Sequence, residues 1–416
     1  MSAPSTTPEV SIHRRPSGSA KLDHSKLMSK QHSDGGWGLV PIQSRAGRFS
    51  SFDVADFEPV SGFEAEWKYT PIRELAALMD GPLDGGRYDF AIETGVEDSG
   101  GISVDWVERT DSRIGSVGKP EERGSANAWT GFERALVVTV SGDDRAEVAL
   151  SRTSFGPSAR AAHLFIDAQP GSNGVVVLNN SGQAMLSENV EISVAAGAQL
   201  TVVSVQEWDH GATHLATHFV RLGKDARLRH VVVSLGGSIV RVNTNAHLAE
   251  EGSDVELFGV YFADAGEHFE QQTFVNHDAP HSKSRVSYRG ALQGERARAV
   301  WIGDVLIRPT APGTDSYEEN RNLLLTEGTR ADSVPNLEIE TGDIAGAGHA
   351  SASGRFDDEQ LFYLQSRGIP ETEARRLVVR GFLASIIQKI GVAAVESRIQ
   401  DAIEAELLVS TEAVAS

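Results

Sequence analysis

From about Ala161 to Ile344 the chain repeats one theme: a short run alternating apolar and polar residues, then a break. The runs are HLFID, GVVVLNN, VEISV, LTVVSV, HVVVSL, SIVRVNTN, VELFGVYF and RAVWIGDVLI. Alternation of this kind marks β-strands. Few helix-length segments separate the runs, which argues against a doubly wound sheet. A looser pattern lies over them: a small or apolar residue, a Gly, a polar pair, then another apolar residue. It occurs in VAAGAQL (194–200), LGKDARL (222–228), LAEEGSDVEL (248–257), LQGERA (292–297) and LTEGTRA (325–331). Intervals of roughly 25 to 45 residues between such breaks suit stacked coils, each covering the apolar face of the last. The pattern therefore predicts a mainly β protein built on a parallel β-helix, with a β-sandwich as the competing arrangement.

Flanking segments have other textures. Residues 1–45 are rich in Ser, Pro, His and Gly without periodicity and read as a disordered tail. Residues 46–155 read as a mixed cap in which Trp67, Tyr69, Ile72 and Leu75 pack a short helical piece. The β-helix is expected over 156–350 and a helical domain over 351–410. In that last region Asp357 and Gln360 form a capping-box pattern, Gly368 and Pro370 a stop and a start. Val395, Ile399, Ile403 and Leu407 make one apolar stripe on a third helix.

Composition excludes several functions. A net charge of −20 over 416 residues repels phosphate backbones and anionic lipid, so neither nucleic acid nor a membrane surface is an expected partner. No apolar run is long enough to span a bilayer and the N-terminus lacks an apolar signal core, so a cytoplasmic location is expected. With no Cys, the chain offers neither a thiolate nucleophile nor a thiolate metal ligand. It contains no G-x-x-x-x-G-K-[ST], no H-E-x-x-H and no G-x-S-x-G, and Gly346-Ala347-Gly348 lacks the rest of a dinucleotide fingerprint.

Histidines supply the remaining candidates. His210, His214 and His218 are four apart; as strand residues the last two share a face, and the row reads as exposed polar surface rather than a metal site. His277 and His281 flank Ala279-Pro280 in what reads as a turn. His349 sits in AGAGHASASG, read as a loop, among side chains too small to surround it. Such a place admits another backbone closely, and an imidazole there makes sense if its partners come from another chain.

The stretch LLLTEGTRADSVPNLEIETGDIAGAGHASASGRFDDEQLFYLQSRGIPETEARRLVVRGFL (323–383) resembles the SufB/SufD family of iron–sulfur cluster assembly proteins, SufD in particular. TDSYEENRNLLL (314–325), YRGALQG (288–294) and EWKYTPIREL (66–75) fit the same family more loosely. The resemblance implies a right-handed parallel β-helix with helical ends and no catalytic activity of its own. It implies a complex in which the chain pairs with SufB through the β-helices and holds the ATPase SufC through C-terminal helices, here Arg375, Arg376, Leu377 and Phe382. A homodimer where SufB is absent stays open. A nascent cluster would form at the SufB–SufD interface, with no cofactor held stably by this chain alone. Where the family pattern has Asp-Val-Lys-Cys-Ser-His after a Leu-Glu-Ile strand, this chain keeps the histidine as His349 but has no cysteine. His349 would thus contribute one nitrogen to iron or cluster at a surface SufB completes. The rival reading is a β-helix enzyme, a lyase or hydrolase of polysaccharide, although no carboxylate pair stands at a recognisable spacing.

Overall fold

A computed structural model describes residues 45–93, 101–153, 155–356 and 358–415. The expected tail and the capping-box Asp357 fall outside the described residues, except for Arg45. That residue is buried, not part of a free tail, and its guanidinium donates to Asn245 (2.6 Å) and Asp304 (3.3 Å).

Strands β1 (Ala91–Glu93), β2 (Ile102–Glu108), β3 (Arg134–Val140) and β4 (Ala146–Arg152) open the core. The coils continue as β5 (Gly156–Ala168), β6 (Asn173–Gly182), β7 (Ala184–Val194), β8 (Gln199–Trp208), β9 (Thr213–Leu222) and β10 (Arg227–Gly236). Then come β11 (Ile239–Leu248), β12 (Asp254–Ala263), β13 (His268–His277) and β14 (Lys283–Leu292). The last coils are β15 (Arg298–Ile307), β16 (Thr314–Leu324), β17 (Arg330–Ile339) and β18 (Ile344–Arg355). Even-numbered strands from β4 to β18 stack in one parallel sheet and odd-numbered strands from β3 to β17 in another. The result is a parallel β-solenoid of about 8 turns, the fold expected from the sequence rather than a sandwich.

Alternation decides which side chains enter the solenoid. Along one inward column Val176, Val202, His230, Leu257, Val286, Glu318 and His349 pair in turn, one residue per coil. Full burial of each Val or Leu contributes roughly 1.5–3 kcal/mol, and every coil depends on the next to supply it. The predicted breaks are the corners between strands. At VAAGAQL and LAEEGSDVEL the corner turns on Gly197 (φ 70°) and Gly252 (φ 74°), where a side chain would be strained. At LGKDARL the left-handed residue is Asp225 (φ 54°), not the glycine.

Both outer faces are covered. On the odd-strand sheet lie α1 (Ala76–Met79) and α2 (Arg123–Gly131). Trp67, Leu75, Leu78 and Met79 there pack on Leu215 and Ile239, with Ile72 partly buried beside them. Arg241 ties this cap down: its guanidinium donates to Glu122 (2.8 Å) and Glu270 (3.0 Å) beneath the Trp67 ring. On the other sheet lie α4 (Glu371–Ile387) and α5 (Ala393–Ala415), with α3 (Asp358–Ser366) packed on α4. The stripe Val395, Ile399, Ile403 and Leu407 joins Val379, Leu383 and Ile386 against Val203, Val205, Val231 and Val233. No helix among the described residues is long and apolar enough to cross a membrane.

The two ends of the solenoid differ. At the first coil the terminal strands are β1 and β2, which are short and run antiparallel to β4 and β3. At the last coil β17 and β18 are the terminal strands of their sheets. Each is 10 to 12 residues long, and most of their residues are half-buried or exposed.

Candidate functional site at the open end of the solenoid

His349 lies on β18, a strand and not the loop read from its small neighbours. Gly and Ala carry weak strand preference, but the ladder with β16 overrides it, setting His349 opposite Glu318. The imidazole is 43% exposed and its Nδ1 is 3.9 Å from Glu318 Oε1. Gly348 faces outward beside the Tyr317 ring, which is itself exposed.

Glu318 was not singled out by the sequence. In TDSYEENRN it is one of two adjacent glutamates, and only the inward register distinguishes it. It stands in the column that Leu257 and Val286 fill in the two preceding coils. The residue is wholly buried, and among the described residues neither carboxyl oxygen has a hydrogen-bond partner. Burial, reinforced by the charge of Asp304, pushes its carboxyl up to about 8. Trp301 Nε1 and Ser333 Oγ, on neighbouring inward positions, are likewise buried without partners. Gly303 leaves the room: a Cβ there would lie 2.5 Å from Glu318 Oε2 and 2.3 Å from the Trp301 ring.

The other histidines do not join this site. His214 and His218 point into the solenoid and are buried, not exposed as read from the sequence. Because the cap buries the opposite face of β9 as well, alternation alone does not tell inside from outside. His214 Nδ1 meets Gln206 (3.1 Å) and its Nε2 lies 3.3 Å from Glu188, while His218 Nδ1 meets His230 Nε2 (2.8 Å). Burial lowers His218 to about 4 and takes His230 well down, so both stay neutral at pH 7. His210 is exposed in the preceding turn. His277 ends β13 rather than lying in the turn; it is buried between Ser282 (2.7 Å) and Ser284 (2.9 Å). His281 does occupy the turn, at φ 57°. Among the described residues no three metal-ligating side chains gather in one place.

The four residues on α4 divide. Arg375 pairs with Glu371 (2.9 Å) and lies over the Phe356 ring, and Arg376 pairs with Glu373 (3.0 Å) and Glu404. Leu377 is 41% exposed. Phe382 instead faces the solenoid, under the guanidinium of Arg289, which also donates to its carbonyl (3.0 Å).

Comparison with known proteins agrees with this architecture. Residues 151–382 match the family model described as SUF system FeS cluster assembly, SufBD core domain. An iron–sulfur cluster assembly SufBD family protein of Mycobacterium leprae is 48% identical over 372 residues, 87% of this chain and 94% of that one. Its counterpart in Mycobacterium tuberculosis is 48% identical over 368 residues, covering 86% and 92%. The iron–sulfur cluster assembly protein SufD of Escherichia coli is 27% identical over 241 residues, 56% of each chain. A family model that spans the coils from β5 to β18, and near-complete alignment with named relatives, lead to one conclusion: the chain belongs to the SufB/SufD family of SUF-system iron–sulfur cluster assembly proteins and is SufD-like.

Proposed function

We propose that this chain is a non-catalytic scaffold subunit of a cytoplasmic SUF complex, pairing with SufB and carrying the ATPase SufC. The carrying observation is the difference between the two ends: among the described residues the sheets end at the first coil on short antiparallel strands, three residues in β1 and seven in β2, and at the last coil on the longer parallel strands β17 and β18, beside a half-exposed His349. A free strand edge is a template for another chain, and a second solenoid ending in the same way satisfies it by β-pairing. Such a seam brings a partner's thiolates to His349, and thiolates are the donors that this chain lacks. The cluster is then transient cargo of the pair and not a resident cofactor of this subunit. α4 is the expected seat for SufC. Arg375, Arg376 and Leu377 form its accessible side, and Phe382 fixes the helix to the solenoid.

The test is His349→Ala in a reconstituted complex with SufB and SufC. Cluster formation, followed by its visible absorbance under anaerobic conditions, should fall at least about tenfold, the scale of losing one metal donor, while all three proteins stay associated. Cluster formation at the wild-type rate would remove His349 from the site.

A further inference from the structure

We propose that Glu318 is a second ligand beside His349, so that this chain offers an oxygen–nitrogen pair to ferrous iron at the open end. The inference rests on the scaffold reading above and extends it to a residue and a ligand chemistry.

A carboxyl group wholly buried without a hydrogen-bond partner is costly, and native chains seldom keep one without a reason. The two coils before it carry Leu257 and Val286 at this position, and the coil before those carries the buried His230, which hydrogen-bonds His218. At Glu318 the chain departs from that pattern, and Gly303 clears the space the carboxyl occupies. The unpartnered atoms Glu318 Oε1 and Oε2, Trp301 Nε1 and Ser333 Oγ cluster in the last two coils. The side chain that faces Glu318 from the terminal strand is His349, at 3.9 Å. First-row divalent ions sit about 2.1 Å from imidazole nitrogen and carboxylate oxygen, so one ion bridges a gap of up to about 4.2 Å. Carboxylate and imidazole are a ligand set suited to Fe²⁺. Two protein ligands leave coordination positions open, which fits a site completed by sulfide or by donors across the seam.

Binding of Fe²⁺ alone is measured by anaerobic equilibrium dialysis on the complex with the SufB partner. The samples are wild type, Glu318→Gln and, as a control for lost surface charge, Glu340→Gln. Complex formation is scored first on the same samples by size-exclusion chromatography. Glu318→Gln should weaken Fe²⁺ binding at least about tenfold, leave the complex intact and unfold no earlier than wild type, because it removes an unpaired buried acid. Glu340→Gln should match wild type. An intact complex that binds Fe²⁺ equally well with Glu318→Gln, or that binds none in the wild type, overturns the ligand role and spares the scaffold reading. Absence of any complex overturns both.

Discussion

Replacing Gly290 by alanine should destabilise the solenoid by about 3 kcal/mol or more, at the upper end of core overpacking. Gly290 pairs with Tyr261 across adjacent strands, and Gly259 pairs with Tyr288 in the same two strands. Each ring lies over the other strand's glycine: a Cβ on Gly290 would fall 1.6 Å from the Tyr261 ring, and one on Gly259 would fall 1.9 Å from Tyr288. Tyr261 cannot swing aside freely, because its hydroxyl donates to Asn322 (2.5 Å) and accepts from Asn320 (2.9 Å). Chemical denaturation followed by circular dichroism measures the loss. Tyr261→Ala alone should cost about 3–5 kcal/mol. The double variant should be less destabilised than the sum of the two by about 1 kcal/mol or more, since removing the ring removes the clash. Simple additivity would mean that the ring and the glycine do not interlock.

The second large effect concerns the only charged pair buried within the first coils of the interior among the described residues. Arg152 and Glu188 are each 1% exposed, joined through both terminal guanidinium nitrogens, and Arg152 Nε also donates to Asn180 (2.8 Å). Burial opposes ionisation of Glu188, but the Arg152 charge outweighs it and holds the carboxyl well below its ordinary range. Arg152→Met leaves that carboxylate buried without its cation, with only His214 beside it at 3.3 Å, and should cost about 3–5 kcal/mol. Adding Glu188→Gln should recover most of the loss, because the penalty comes from the unpaired charge rather than from the missing attraction. A single variant that unfolds at the wild-type midpoint would show that water already reaches the pair.

How far the sequence speaks depends on which contrast a residue makes. The solenoid is legible in runs such as VELFGVYF and RAVWIGDVLI because inward positions repeat a strict period of two. The corners are legible because Gly197 and Gly252 adopt a conformation few other residues tolerate. Polar residues on inward positions are not legible this way. His214, His218 and His277 look like surface or turn in the sequence, and only the register turns them inward to partners on the adjoining strand or corner. Glu318 is hidden for the same reason, since nothing local separates it from Glu319. His349 stands out through the contrast with its small neighbours, yet the same neighbours suggest a loop where the ladder from Glu318 makes a strand. The stripe on α5 gives the helix and its buried side, but not the sheet of valines it covers.

The central claim is that the open end of the solenoid is where this subunit meets its SUF partner. Amide hydrogen exchange, measured on the chain alone and after addition of the SufB subunit, addresses it most directly. Protection by at least about tenfold is expected across 330–339 and 344–355, with exchange in the interior strands between them and the capped end unchanged. A stable complex that leaves those two segments exchanging as fast as in the free chain would contradict the account.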